Sequence, residues 1–515
     1  MVTRRELLER LGAAALGAGL APLRRPSPPA PRQTPAPDVE LELTAGLATS
    51  QILPGPATEV WRYSGRVVRG PAESLSQVRD SYLGPTLRLR QGQRVRIRFQ
   101  NRLPDPSIVH WHGLDVPEEA DGHPRLAVPG GREYVYDFQV TNRAGTYWYH
   151  PHPHMQTGPQ VYRGLAGLLI VSDDEERKVG LPEGAQELTC VLQDRRFDAK
   201  NQFVYSTAMM DMETGMLGDR VLVNGRLRPE WSLGTRAYRM RVLNGSNARV
   251  YKLEWSDGTP MTILGTDGGL LSGPVTRKFV TLAPGQRLDL FLDLSKRPVG
   301  QTIELRSGAF PTADAGLDMG RAMGGMGRGM GMGMMGGGGG AAALGSPFSL
   351  LSLRVARREE GSSRLPERLS VLGPAWQPAP AAPVRRVPLT FQQMAWFIDG
   401  RAFEMADVAP AETVAAGSTA QWEFVNAGGP MGMQMAHPIH MHGRQFRVVS
   451  RSGAGPSNAL RDGLVDDGWM DTVLVLPGET VRVQVTFSRF QGLFLYHCHI
   501  LEHEDMGMMR NFRIA

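Results

Sequence analysis

His497-Cys498-His499-Ile500-Leu501-Glu502-His503-Glu504-Asp505-Met506-Gly507-Met508 lies near the C-terminal end of a 515-residue chain, directly after the apolar run Gly492-Leu493-Phe494-Leu495-Tyr496. That run has the aromatic and aliphatic content of a buried strand. Successive side chains on a strand point to opposite faces, so His497 and His499 share one face and Cys498 takes the other. A thiolate with a histidine five residues on and a thioether ten residues on, given a second histidine from elsewhere, is the ligand set of a blue-copper electron-transfer site. His497 and His499 then face a different metal site, one peptide link from the sulfur. The pattern reads as redox chemistry.

The other histidines extend this reading. All 12 fall in four short clusters: His110/His112/His123, His150/His152/His154, His437/His440/His442 and His497/His499/His503. None lies between His154 and His437, so the first and last parts of the chain are expected to share a metal site. Each cluster holds a His-x-His pair, which extended backbone turns to one face. Four pairs are too many for one zinc or one copper, but enough for three ions with positions open to oxygen. A structural zinc site would want closed tetrahedral Cys/His ligation, which one cysteine among these pairs does not fit.

Between the clusters a strand–glycine turn–strand device recurs. It spans Pro85 to Phe99 around Gly92, Leu282 to Phe291 around Gly285, and Val414 to Phe424 around Gly417. Three copies imply three repeats of one β-sandwich domain, at residues 38–176, 177–356 and 380–515, with residues 357–379 as a linker. No amphipathic helical stretch of convincing length interrupts them.

Hydrophobic content of 41% with 61 Gly and 38 Pro suits a turn-rich β protein. The net charge of +6 is spread along strands and loops without a nucleic-acid motif, which implies solubility or an anionic surface nearby. With Cys498 on a metal, Cys190 has no disulfide partner and reads as a small buried residue. Residues 1–37 read as an address and a Pro-rich linker. Thr3-Arg4-Arg5-Glu6-Leu7-Leu8 is a twin-arginine motif, and the apolar run over residues 11–23 is too short for a permanent membrane span. Export to the periplasm or beyond is expected, without stable membrane insertion and as a monomer.

His110-Trp111-His112-Gly113, His150-Pro151-His152, His437-Pro438-Ile439-His440-Met441-His442-Gly443 and His497-Cys498-His499 with His503 and Met508 resemble, in this order, the four copper motifs of three-domain multicopper oxidases. The resemblance covers essentially the whole chain after residue 37. It implies an all-β fold of three consecutive cupredoxin-like Greek-key β-sandwiches and four copper ions. His437, Cys498, His503 and Met508 would hold a type 1 copper, and His110 and His440 a type 2 copper. His112, His150, His152, His442, His497 and His499 would hold a type 3 pair. The implied reaction passes four electrons, taken one at a time, to O2 and releases two waters. Asp121 and Glu504 occupy positions that relay protons in similar oxidases, while His123 and His154 match no ligand position.

Methionines bear on the reductant. Met319, Met323, Met326, Met330, Met332, Met334 and Met335 lie in a Gly-rich insert, residues 316–340, where glycine density opposes stable helix or strand. Met431, Met433 and Met435 precede His437, Met506, Met508 and Met509 surround the axial position, and Met209, Met210, Met212 and Met216 form a fourth group. Thioethers suit cuprous ions. Such inserts resemble those of bacterial copper-efflux oxidases, in which carboxylates join methionines at the substrate copper. The seven methionines of the insert, with Met433 and Met435, are candidates for that site here, with Asp314 and Asp318 as the acids, although no Asp falls between Met431 and Met435. Cuprous ion is the expected reductant. The alternatives are a laccase acting on phenols, a copper-binding module without turnover, and a structural envelope protein of the same fold.

Overall fold

The computed structural model describes residues 35–316, 342–360, 364–426, 434–453 and 458–515. The twin-arginine stretch lies outside the described residues, as do Met319, Met323, Met326, Met330, Met332, Met334, Met335, Asp318, Met431 and Met433.

Strands dominate, and among the described residues they form three pairs of sheets, each pair drawn from one continuous part of the chain. In the first pair, a four-stranded sheet ordered Thr58–Arg69, Val39–Ser50, Arg94–Asn101, Glu133–Gln139 shares its core with a five-stranded sheet ending on Gly145–Pro151 and Val109–His112. The second pair has seven and five strands between Glu187–Arg195 and Phe348–Arg357, and the third has five and five between Val384–Gln392 and Met509–Ile514. Burial alternates along Val39–Ser50 and Arg94–Asn101, as expected where one sheet face is dry. The described residues from Pro37 to Ala515 belong to one compact unit. Helices are short connectors, and among the described residues none is long and apolar enough to cross a membrane.

The repeat is real, but its frame differs from the sequence reading. All three glycine turns close with the amide of the fourth residue on the carbonyl of the first: Gln93 on Arg90, Gln286 on Ala283, Ser418 on Ala415. The glycine sits third, at φ +91° for Gly92, +83° for Gly285 and +70° for Gly417, as a type II turn requires. Gly92 and Gly417 lead into strands that run parallel to the opening strand of their pair, Arg94–Asn101 beside Val39–Ser50 and Thr419–Val425 beside Val384–Gln392. In the middle pair that station belongs to Ala237–Asn244, entered from Gly234. Gly285 instead leads into Arg287–Asp293, the antiparallel neighbour of that strand, and its counterparts are Gly131 before Glu133–Gln139 and Gly478 before Glu479–Thr486. A Gly turn followed by alternating residues marks either corner, so spacing alone could not separate them.

The arginines also differ from expectation. Arg195, Arg239, Arg241, Arg249, Arg287 and Arg510 are buried, and carboxylates meet them inside: Asp194 for Arg249, Glu412 for Arg510, Asp471 for Arg287. Part of the arginine content is therefore internal structure, neutralised there by carboxylates.

Gly417 and Gly285 give a testable contrast. A Cβ at 417 meets nothing, so Gly417→Ala is expected to cost only the left-handed backbone strain of about 1–2 kcal/mol. A Cβ at 285 would lie 2.9 Å from His499 Cδ2, so Gly285→Ala should cost more. Denaturant midpoints of the two variants measure the difference; equal losses would remove the contact at His499 from consideration.

Candidate metal centre

Strand register assembles the centre. Val109–His112 pairs with Gly145–Pro151 so that His110 lies opposite His150, and His437–Met441 pairs with Gly492–Cys498 so that His440 lies opposite His497 and Ile439 opposite Cys498. Pairs thus share a face, and the faces of the first and third sheet pairs meet. His110 stacks on His442 and His112 on His440, each with ring centroids 3.7 Å apart. His110 Nε2 lies 3.4 Å from His440 Nε2, and His497 Nε2 lies 3.1 Å from His442 Nε2 and 3.4 Å from His152 Nε2. His150 and His499 complete the group, with centroids 5.4 Å apart.

Cys498 points the other way. Its Sγ lies 3.5 Å from His437 Nδ1 and 3.7 Å from His503 Nδ1, and it accepts a hydrogen bond from Ile500 N at 3.4 Å. Met508 is fully buried in the same core, its carbonyl accepting from Cys498 N. Trp396 packs on both His437 and His503. The outer nitrogen of His503, Nε2, donates to the carbonyl of Glu213 at 2.8 Å, and Trp396 Nε1 donates to the same oxygen at 3.0 Å. That carbonyl belongs to the short helix Met209–Thr214 of the middle sheet pair.

Burial, reinforced by neighbouring imidazoles, holds His110, His112, His152, His437, His442, His497 and His499 well below the ordinary imidazole range. Burial takes His150 and His503 down to about 3. Neutral rings expose lone pairs, the form that binds metal. His112 Nδ1, His150 Nε2 and both nitrogens of His499 are buried without a hydrogen-bond partner. Unpaired buried nitrogens on this scale are costly in a metal-free protein, and they are what a metal centre needs. Nitrogen and sulfur donors of this kind fit copper.

Both candidate relay acids reach the histidines. Asp121 Oδ2 lies 2.8 Å from His442 Nδ1, and its carbonyl lies 2.6 Å from His110 Nδ1. Glu504 Oε1 lies 3.4 Å from His152 Nε2 and Oε2 3.2 Å from His497 Nδ1. Burial pushes both well above the ordinary carboxylate range, helped at Asp121 by Asp115 and at Glu504 by Asp505.

The remaining sequence candidates are placed as follows. His123 is buried against Asn511, while His154 is exposed beside Phe403. Met435 is buried next to His437, and Ala436 N donates to Ala315 O, so Ala315 lies beside that ligand strand. Asp314 accepts from Ala459 N at 2.8 Å and so is occupied in holding a loop. Cys190 is buried in the middle core.

Sequence reasoning missed three groups: Glu213, whose carbonyl covers His503; Asp471, at 3.0 Å from His112 Nε2; and Glu502, fully buried and accepting from Met216 N and Asn247 Nδ2. Only Asp471 carried a signal, an acid at the threshold of the apolar strand Thr472–Val475.

Multicopper oxidase family models match residues 62–176 and 377–515. The chain is 30% identical to a multicopper oxidase, mco, of Staphylococcus haemolyticus, over 84% of this chain and 82% of that protein. It is 26% identical to a laccase of Bacillus subtilis, over 89% of this chain and 91% of the relative. The crystal structure of the McoA multicopper oxidase from the hyperthermophile Aquifex aeolicus matches with a TM-score of 0.75 at 33% identity, covering 93% of this chain and 96% of that one.

A metal held by these nitrogens binds the folded chain more tightly than the unfolded one, whose His-x-His pairs offer only a few donors each. Cupric ion at 100 times its Kd is therefore expected to stabilise the fold by at most about 2.7 kcal/mol, read as a rise in the thermal midpoint that a chelator reverses. A midpoint indifferent to cupric ion would mean that the nitrogens do not hold it.

Proposed function

The chain belongs to the multicopper oxidase family, and from that premise we propose that it oxidises cuprous to cupric ion, coupling four such oxidations to the reduction of O2 with four protons to two waters. His437, Cys498, His503 and Met508 would hold the type 1 copper, His110 and His440 the type 2 copper. His112, His150, His152, His442, His497 and His499 would hold the type 3 pair. Copper bound at these positions would supply the one-electron steps and the oxygen chemistry.

The chain's own residues do the rest. Cys498 joins the two regions, since its backbone runs directly into His497 and His499. Glu504 Oε1 and Oε2 and Asp121 Oδ2 stand at the nitrogens of His152, His497 and His442, placed to hand protons to the oxygen site. Trp396 keeps water off His437 and His503.

The observation that carries the choice of reductant is the closure of His503. An organic ring would need the outer edge of that imidazole, but the edge is fully buried and bonded to Glu213 O. What covers it is a helix with Met209 63% and Met210 50% exposed. Met210 and Glu213 stand one helical turn apart, as do Met209 and Met212, so thioethers and a carboxylate can gather around a small soft cation. The electron then has a short path through the Glu213 peptide to His503. We place the enzyme outside the cytoplasm on the strength of the twin-arginine stretch.

Oxygen uptake by the copper-loaded chain, with cuprous ion and then a simple phenol, tests the reading. Replacing Met209 and Met210 together by Leu is expected to raise the KM for cuprous ion roughly tenfold, about 1.4 kcal/mol of binding, without changing that for phenol. Phenol turnover that exceeds cuprous turnover and ignores the substitution would make the protein a laccase. Cys498→Ser should bleach the blue colour and abolish uptake; a blue, active serine variant would overturn the ligand assignment. Glu504→Gln is expected to slow oxygen reduction by roughly 100-fold while substrate still reduces the blue site, and unchanged turnover would remove its proton role.

A further inference from the structure

The middle sheet pair has no histidine, yet it reaches the centre through Gly285 and through Arg287 two residues on. Arg287 is fully buried and gathers all three parts of the chain. Its Nε donates to Thr146 O at 2.9 Å, Nη1 to Gly285 O and Asp471 Oδ1, each at 2.8 Å, and Nη2 to Asp267 O at 3.2 Å and to Asp471 Oδ2. Asp267 braces the pair from behind. Its Oδ1 accepts from Arg287 N at 2.8 Å, and its Oδ2 accepts from the amides of Asp471 and Thr472 at 3.2 Å. Asp471 Oδ1, so fixed, meets His112 Nε2 at 3.0 Å, with Thr472 Oγ1 at 3.3 Å.

His112 shows the result. With a carboxylate at Nε2, the neutral ring keeps its proton there and its lone pair on Nδ1. Nδ1 is the atom left buried and unpartnered. Elsewhere in the group Nε2 atoms face one another, as in His110 with His440 and His442 with His497, so His112 is turned the other way round. The cradle is also built to leave no slack. A Cβ at Gly113, next to His112, would lie 2.5 Å from Asp471 Oδ2 and 2.8 Å from Arg287 Nη2.

We propose that Arg287 is a positioning residue of the metal centre: it clamps Asp471 against His112 Nε2, so that the ring offers Nδ1 to the metal. This rests on the reading of His112 as a copper ligand. A buried ion pair is a weak source of stability, since apolar residues of similar volume often replace one without loss. Orienting a ligand histidine is the role that such a carboxylate plays at metal sites, where its removal costs roughly 10–100-fold in metal affinity.

The test uses the copper-loaded full chain, the Arg287→Lys variant, and a triple variant, Arg287→Met with Asp471→Leu and Asp267→Asn, that leaves no buried charge unpaired. Each is titrated with a chelator. Blue absorption reports copper at Cys498, while metal analysis and the electron paramagnetic resonance spectrum report the rest. Both variants are expected to surrender non-blue copper at roughly 10–100-fold lower chelator while keeping the blue band. Retention equal to the parent would overturn the proposal, as would loss of the blue band alongside, which marks a general failure of the fold. A parent chain that takes up no copper would sink the copper reading itself, and this inference with it.

Discussion

Imidazoles crowded into one dry volume are the constraint on which this structure depends. His110, His112, His150, His152, His440, His442, His497 and His499 come from two sheet pairs, and each is at most 1% exposed. Removing so many polar rings from water is unfavourable unless each nitrogen finds a partner. Some outward nitrogens find one in backbone or carboxylate: His110 in Asp121 O, His440 in Asp471 O, His442 in Asp121 Oδ2. Several inward nitrogens find none in protein. The fold has settled part of the problem, at these outward nitrogens, and left the rest for a metal to close.

The Cys498 region follows the same logic on a smaller scale. A buried thiol is pushed well above its ordinary range by desolvation, so it would be inert as a thiol. Two imidazole nitrogens beside the sulfur give a cation three donors at once, and the amide of Ile500 adds a hydrogen bond to the sulfur. Strand alternation links the two regions, because consecutive residues of one strand must face opposite ways.

Much of this was legible in the chain. His-x-His spacing, the position of Cys498 and the empty stretch between His154 and His437 sufficed to predict the faces and the two-ended centre, and the composition with the recurring glycine turns pointed to the all-β class. Local pattern carried that information because strand periodicity is local. What it could not carry was contact between parts far apart in sequence. Nothing around Arg287 marks it as different from other strand arginines, and its partner Asp471 lies 184 residues away. Glu213 touches His503 through a backbone carbonyl, which has no sequence signature. The glycine corners were visible, but their station in the sheet depends on which strand each feeds, and that is set by pairing.

The spacing between partners has a consequence for how the protein is made. His110 meets His440 across 330 residues, and His152 meets His497 across 345. Contacts this distant form late, after the domains that present them have folded as units. A nascent chain that has emerged only through the middle sheet pair carries two His-x-His pairs facing solvent and no cysteine site at all. It can catch stray cations but cannot seat them correctly. The complete donor set therefore exists only once the last strand has been made and the two ends have docked.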